Sequence, residues 1–314
     1  MTLLYNERGF LDHETGHHPE CSERLHVITD MLSKTGLDRL CKSPIFEPID
    51  KRRLKRVHSS HYIDQVWALT KSGGGHFGSD TVISPGSYDA ALLAAGSVCD
   101  AVTRVVQGED KTALCLVRPP GHHALASQAM GFCIFNNIAI GAKVATDELR
   151  LNRVLIVDWD IHHGNGTQAT FWEDPRVGFL SIHRSPFYPG TGGADETGHG
   201  GGLGYTLNLP IEYGTSRRDY LEAFVTQLER FADKIKPELV LISAGFDAHR
   251  EDPVGNLGLE TEDFIPLTKA VLQVAATHAS GRVVSVLEGG YNLHVLPEAV
   301  RLHLEEIHSF HKKF

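Results

Sequence analysis

Short apolar runs recur along the chain, and the stretches between them repeat their apolar positions every three to four residues. The runs at 113–117, 154–157, 177–182, 239–242 and 283–287 are apolar at nearly every position. Strands of a parallel sheet read this way because both faces are covered. Helical periodicity marks 85–106, 136–149, 217–234, 261–278 and 295–310. Strand and helix alternate, which predicts an α/β fold with a central parallel sheet and helices on both faces. No linker divides the chain. The glycine-rich stretch 190–204 lies between two apolar runs and reads as a long ordered loop. One domain spanning 1–314 is the expectation.

Composition narrows the classes. Of 314 residues, 41% are hydrophobic, enough for a large core. There is no apolar run of the roughly 18 residues that a bilayer span needs. The start, MTLLYNERGFLDHE, lacks the basic and apolar regions of a secretion signal. A cytoplasmic protein with no membrane partner is expected. Cys21, Cys41, Cys99, Cys115 and Cys133 form no C-x-x-C pair, which suits a reduced compartment and argues against a cysteine-based zinc site. A net charge of −9 argues against direct nucleic-acid binding, which needs a basic footprint. A homo-oligomer stays open. The 19 histidines include the adjacent pairs His17-His18, His122-His123 and His162-His163, and such clustering points to metal or proton chemistry.

In an open parallel sheet, ligands bind beyond the carboxyl ends of the strands. The five runs are followed in turn by RPPGHH, DWDIHHGNG, HRSPFYPGTG, SAGFDAH and EGGYN. Reactive or special-geometry residues thus gather at one predicted rim. Asp158, Asp160 and His162 are spaced two apart and project to one side of an extended chain. Asp160 and His162 with the distant Asp247 make a three-ligand set that leaves a cation one open position, as catalytic zinc requires. Iron(II) or cobalt(II) would also suit these donors. Hydrolysis at such a metal needs a base for water and an acid for the leaving group. His122 and His123, behind Pro119-Pro120-Gly121, are candidates for both. Tyr291, behind Gly289-Gly290, is a candidate donor to a developing oxyanion. Taken singly, each has an ordinary reading as a cap, a loop residue or a packing residue.

Six motifs together, RPPGHHA, GFCIFNN, VDWDIHHGNGTQ, PGTG, SAGFDAH and LEGGYN, resemble the histone deacetylase and acetylpolyamine amidohydrolase superfamily. Asn165 in the third gives the chain a class II-like form, and the resemblance runs from about Gly16 to the last helix. It implies the arginase-deacetylase fold, with a central parallel sheet of about eight strands, and a zinc-dependent amidohydrolase acting on linear amides. It implies Asp160, His162 and Asp247 as zinc ligands and Tyr291 as the residue polarising the substrate carbonyl. His122 and His123 become the tandem histidines, partnered by Asp158 and Asn165, with His123 the general base and acid. Gly131, Phe132, Tyr188, Val254 and Gly290 would form a substrate tunnel with Arg24 at its foot. A structural potassium ion would be held by Asp158, Asp160, His162, Ser181 and Ile182.

Two departures bear on substrate. The family usually carries phenylalanine where Tyr188 stands. Polyamine-selective relatives carry an acidic residue after the Asp-Pro that here is Asp252-Pro253, whereas this chain has Val254. Acylated lysine side chains are therefore the expected substrate, with acetylpolyamines or other small acylated amines the alternative. A two-metal ureohydrolase would want carboxylates where Asn165 and His249 stand. A non-catalytic acyl-lysine binder would show a broken site, and a dinucleotide enzyme would need a G-x-G-x-x-G that the chain lacks.

Overall fold

The strands are β1 (Leu3–Tyr5), β2 (Gly75–Phe77), β3 (Thr81–Ile83), β4 (Thr112–Cys115), β5 (Val154–Asp158), β6 (Val177–Arg184), β7 (Thr206–Ile211), β8 (Leu239–Ala244) and β9 (Val283–Leu287). They come from a computed structural model that describes residues 1–311. The last three positions of the expected 1–314 domain lie outside the described residues. Seven strands form one sheet in the order β1-β4-β9-β8-β5-β6-β7, with every neighbouring pair parallel. The count is seven rather than the expected eight or so; β2 and β3 pair only with each other, antiparallel, outside the sheet. Strands β4, β9, β8 and β5 are buried at every residue, which explains their largely apolar sequence.

The helices are α1 (Glu23–Thr35), α2 (Lys51–Leu54), α3 (Ser60–Lys71), α4 (Ser87–Gln107), α5 (Asn137–Lys143), α6 (Asn165–Phe171), α7 (Arg217–Ile235), α8 (Phe264–His278) and α9 (Leu296–His311). Two groups flank the sheet: α4 packs with α5, while α7, α8, α9 and α1 pack in succession. The segment predicted as one helix over 136–149 is α5 followed by a π-helical turn at Val144–Glu148. The sequence pattern missed β1, which is only three residues long. It also missed β7, an edge strand containing Asn208 and Pro210 whose burial is interrupted. Edge strands tolerate such residues, which masks their apolar signal. The 190–204 stretch is ordered: the Glu196 carboxylate accepts Gly192 N and Gly193 N at 3.0 and 2.9 Å, and a 3-10 turn covers Gly200–Gly202. Among the described residues no helix is long and apolar enough to cross a membrane.

Register is what makes a site. Cys115 pairs with Val286, Val286 with Ser243, Ser243 with Asp158 and Asp158 with Ser181. The strands therefore end on one line. The residues just beyond them emerge along a single rim, as the strand-end rule requires.

Candidate active site

Two turns of chain beyond β5 and β8 bring Asp160, His162 and Asp247 together. All three are buried, and each offers a donor atom within 4.8 Å of the others. His162 Nδ1 stands 3.0 Å from Asp160 Oδ1 and 3.2 Å from Asp247 Oδ2. Donors on a tetrahedral cation with bonds of about 2.0–2.2 Å lie roughly 3.3–3.6 Å apart, so the cluster is within a few tenths of an ångström of the spacing a cation would set. The electrostatics fit as well. Asp247 Oδ2 is buried and has no hydrogen-bond donor beyond the 3.2 Å contact with His162 Nδ1, itself a candidate ligand. Burial first, and the neighbouring Asp160 carboxylate second, push the Asp247 pKa up. Two buried carboxylates sharing one imidazole are a charge deficit that a cation relieves. The opposite oxygens fix the orientation: Asp160 Oδ2 accepts Gly289 N at 2.8 Å and Asp247 Oδ1 accepts Ile161 N at 3.0 Å. A Cβ on Gly289 would sit 2.3 Å from Asp247 Oδ2, so only glycine lets that backbone approach.

His122, Cys133 and Glu288 also cluster closely enough for a metal, but both Glu288 oxygens and His122 Nδ1 already have partners. Glu288 Oε2 accepts Gly121 N and His122 N at 2.7 and 3.2 Å, Oε1 accepts Ser243 Oγ at 3.2 Å, and His122 Nδ1 faces Asp158. Glu288 is thus the anchor of the turn that aims the histidine pair, a part that sequence reading did not single out.

The two imidazoles lie 4.0 Å apart, centroid to centroid, and differ in their partners. His122 Nδ1 donates to the Asp158 carboxylate at 3.0 Å, whereas His123 Nδ1 donates to the Asn165 amide oxygen at 2.7 Å. Burial disfavours charge on both. For His122, the Asp158 and Asp160 carboxylates outweigh burial and push the pKa up to about 10. For His123, burial is joined by the charges of His122 and His162, and the pKa falls well below the ordinary value. The two rings are thus pushed in opposite directions, the kind of difference that lets paired groups take unlike roles.

Tyr291 follows a backbone segment tied down from several directions. Arg24, fully buried, donates to Gly290 O at 2.7 Å and Glu288 O at 2.6 Å, and its guanidinium lies 5.0 Å from the Tyr291 ring centroid. Gly290, expected on the tunnel wall, is buried with φ +118°, and its carbonyl accepts Arg24 Nε. Asp252 accepts Tyr291 N at 2.7 Å.

A cavity of about 230 Å³ joins these groups, lined by His123, His162 and Tyr291 together with Gly131, Phe132, Tyr188 and Val254. It also includes Phe187 and Asp80, neither of which the sequence reading named. Phe187 stacks on the His162 ring at 5.2 Å and 18°. Tyr188 stands edge-on to His123 at 5.3 Å, and Phe132 edge-on to Tyr291 at 5.7 Å. Gly131 has φ +56°, and a Cβ there would fall 2.2 Å from His123 Cδ2. His123 is 2% exposed and Tyr291 8%, against 38% for Tyr188, so the cavity runs inward from an aromatic mouth to the polar cluster. At the mouth Asp80 Oδ2 accepts the Tyr188 hydroxyl at 3.2 Å and Gly131 N at 3.3 Å. Asp80 stands between β2 and β3, and no sequence pattern distinguishes it from an ordinary turn aspartate. Asp158 and Ser181 face each other across β5 and β6, and the Ser181 hydroxyl lies 2.9 Å from His183 Nδ1. Ile182 is buried one residue further on.

Comparison with known proteins agrees with this geometry. Residues 18–307 match the family described as the histone deacetylase domain. A histone deacetylase-like amidohydrolase from Pseudomonas aeruginosa is 38% identical over 290 residues, 92% of this chain and 76% of that one. Polyamine deacetylase HDAC10 of Homo sapiens is 40% identical over 315 residues, 95% of this chain and 46% of that one. A crystal structure of the HDA15 HD domain matches with a TM-score of 0.91 at 36% identity, covering 98% of this chain and 88% of that one. With its parallel sheet, its rim of strand-end motifs and this match over nearly all its length, the chain belongs to the histone deacetylase family and is an enzyme of the deacetylase and amidohydrolase kind.

Proposed function

We propose that the protein, acting as a single catalytic domain, is a zinc-dependent deacylase that hydrolyses the amide of Nε-acyl-lysine. One observation carries the reading: His162 of the three-donor cluster, His123 of the unequal histidine pair and Tyr291 all line one aromatic-walled cavity. Asp160, His162 and Asp247 would hold the cation. When bound, zinc supplies Lewis acidity toward the acyl carbonyl and the attacking water. The other steps fall to side chains. Phe132 and Tyr188 enclose the methylene stem and exclude water. His123, held neutral, takes the proton of the attacking water at its Nε2, because Nδ1 is committed to Asn165. It then passes that proton to the departing amine. His122, held cationic by Asp158, stabilises negative charge as it develops, and the Tyr291 hydroxyl donates to the oxyanion. A structural potassium ion on Asp158, Asp160, His162, Ser181 and Ile182 belongs to the same reading. The pairing of Asp158 with Ser181 across adjacent strands supports it, since hard oxygen donors suit such a cation.

Asp80 favours a second reading. Its carboxylate at the cavity mouth could meet the distal ammonium of an acetylpolyamine. Against this, Asp80 is already bound by Tyr188 and Gly131, and Val254 adds no charge. Steady-state kinetics of the zinc-loaded enzyme on an acetyl-lysine peptide and on acetylspermidine decide between them. The expected kcat/KM favours the peptide by at least about tenfold. Preference for acetylspermidine establishes the second reading, and turnover unaffected by chelation overturns the metal assignment.

A further inference from the structure

Asp252 is buried, 6% exposed, beyond the third member of the metal cluster. Its carboxylate accepts four backbone N–H groups. Oδ1 accepts Val254 N and Gly255 N, each at 2.9 Å. Oδ2 accepts Tyr291 N at 2.7 Å and Asn292 N at 3.3 Å. One oxygen therefore serves the loop that carries Val254 to the cavity wall, and the other serves the segment that carries Tyr291. The neighbouring backbone repeats the tie, since Asn292 Nδ2 donates to Glu251 O at 2.7 Å.

We infer that Asp252 is a positioning residue for Tyr291: its divided carboxylate fixes the phenol against the substrate carbonyl and sets the Val254 wall in the same act. The inference rests on the proposed role of Tyr291 as oxyanion donor. The physical case lies in the donors. Four N–H groups converge on two oxygens, an arrangement only an ionised carboxylate satisfies fully, because it accepts at both atoms and donates at neither. An asparagine keeps one accepting oxygen and turns an amide N–H₂ toward the other pair of N–H groups. Donor then faces donor, and either the Val254 loop or the Tyr291 segment must move away. Reacting groups held in place tolerate little such movement: a displacement of about 1 Å costs on the order of a hundredfold in rate.

The test is a kinetic double-mutant cycle of Asp252→Asn and Tyr291→Phe on the zinc-loaded enzyme with an acetyl-lysine peptide, with zinc content and melting temperature measured for each variant. Asp252→Asn is expected to lower kcat by roughly a hundredfold with KM changed less than about threefold and zinc retained. In the Tyr291→Phe background the same substitution is expected to cost less than about threefold more, because the hydroxyl it positions is already gone. A general structural role would not produce that non-additivity. Equal losses in both backgrounds, or wild-type kcat in Asp252→Asn, overturn the inference while leaving the role of Tyr291 intact. Near-normal turnover by Tyr291→Phe alone overturns that role and the inference with it. If Asp252→Asn does not fold, Asp252→Glu keeps the charge and moves it by one methylene. The cycle is then read on that variant with the same outcomes.

Discussion

Glu20 is the sharpest point at which to press the fold that underlies the site. Its side chain is wholly buried, as are those of Arg118 and Arg24. Arg118 Nε donates to Oε1 at 2.5 Å and Nη2 to Oε2 at 2.8 Å. Arg24 Nη1 donates to Oε1 at 3.2 Å, and His13 Nε2 lies 3.4 Å from Oε2. Burial alone would raise the Glu20 pKa. The charge of Arg118, then the hydrogen bond and charge of His13, overcome it and hold the carboxyl well below the usual range. Glu20→Gln preserves shape and leaves two guanidinium groups buried without their counter-ion. Breaking a buried pair in this way costs about 3–5 kcal/mol. At about 2–4 °C per kcal/mol for a large domain, the melting temperature falls by roughly 6–20 °C at neutral pH. The carboxyl titrates lower in the folded than in the unfolded chain, where its value is about 4.3. Its contribution is therefore complete above about pH 5 and is lost as the pH falls through the depressed value. Thermal melts of both proteins from neutral to acid pH should show a constant gap that narrows only on the acid side. A gap smaller than about 2 °C at neutral pH, or one that widens on acidification, refutes the reasoning.

Two further substitutions test the site itself. Asp247→Asn removes the buried anionic oxygen, so zinc affinity in chelator competition should fall by at least about a hundredfold, more than the loss of a supporting partner usually costs. The melting temperature of the metal-free protein should change little, because burial and Asp160 disfavour that carboxylate while the 3.2 Å contact with His162 favours it. Unchanged zinc affinity would remove Asp247 from the ligand set. Gly131→Ala places a methyl 2.2 Å from His123 Cδ2 at a backbone φ of +56°. The ring must shift by about 1 Å or more, and kcat should fall about a hundredfold with zinc content kept; wild-type kcat would show that the wall yields instead of the base.

The sequence by itself made the inner strands legible, because β4, β5, β8 and β9 are covered on both faces and are therefore apolar at most positions. It also determined the strand-end motifs, whose residue types can be read without coordinates. It did not mark β7, where an edge position tolerates Asn208 and Pro210, nor the three residues of β1. Asp80, Phe187, Glu288 and Asp252 were equally out of reach. Each acts through partners distant in the chain, and an aspartate in a turn looks the same whether or not it holds a catalytic segment. The metal cluster belongs to both levels. Asp160 and His162 are neighbours along the chain, so their spacing was visible. Asp247 joins them only because the parallel register of β5 with β8 ends both strands on one line. The unlike settings of His122 and His123 likewise come from the tertiary structure. Two adjacent and identical side chains became unlike when folding set a carboxylate against one and an amide against the other.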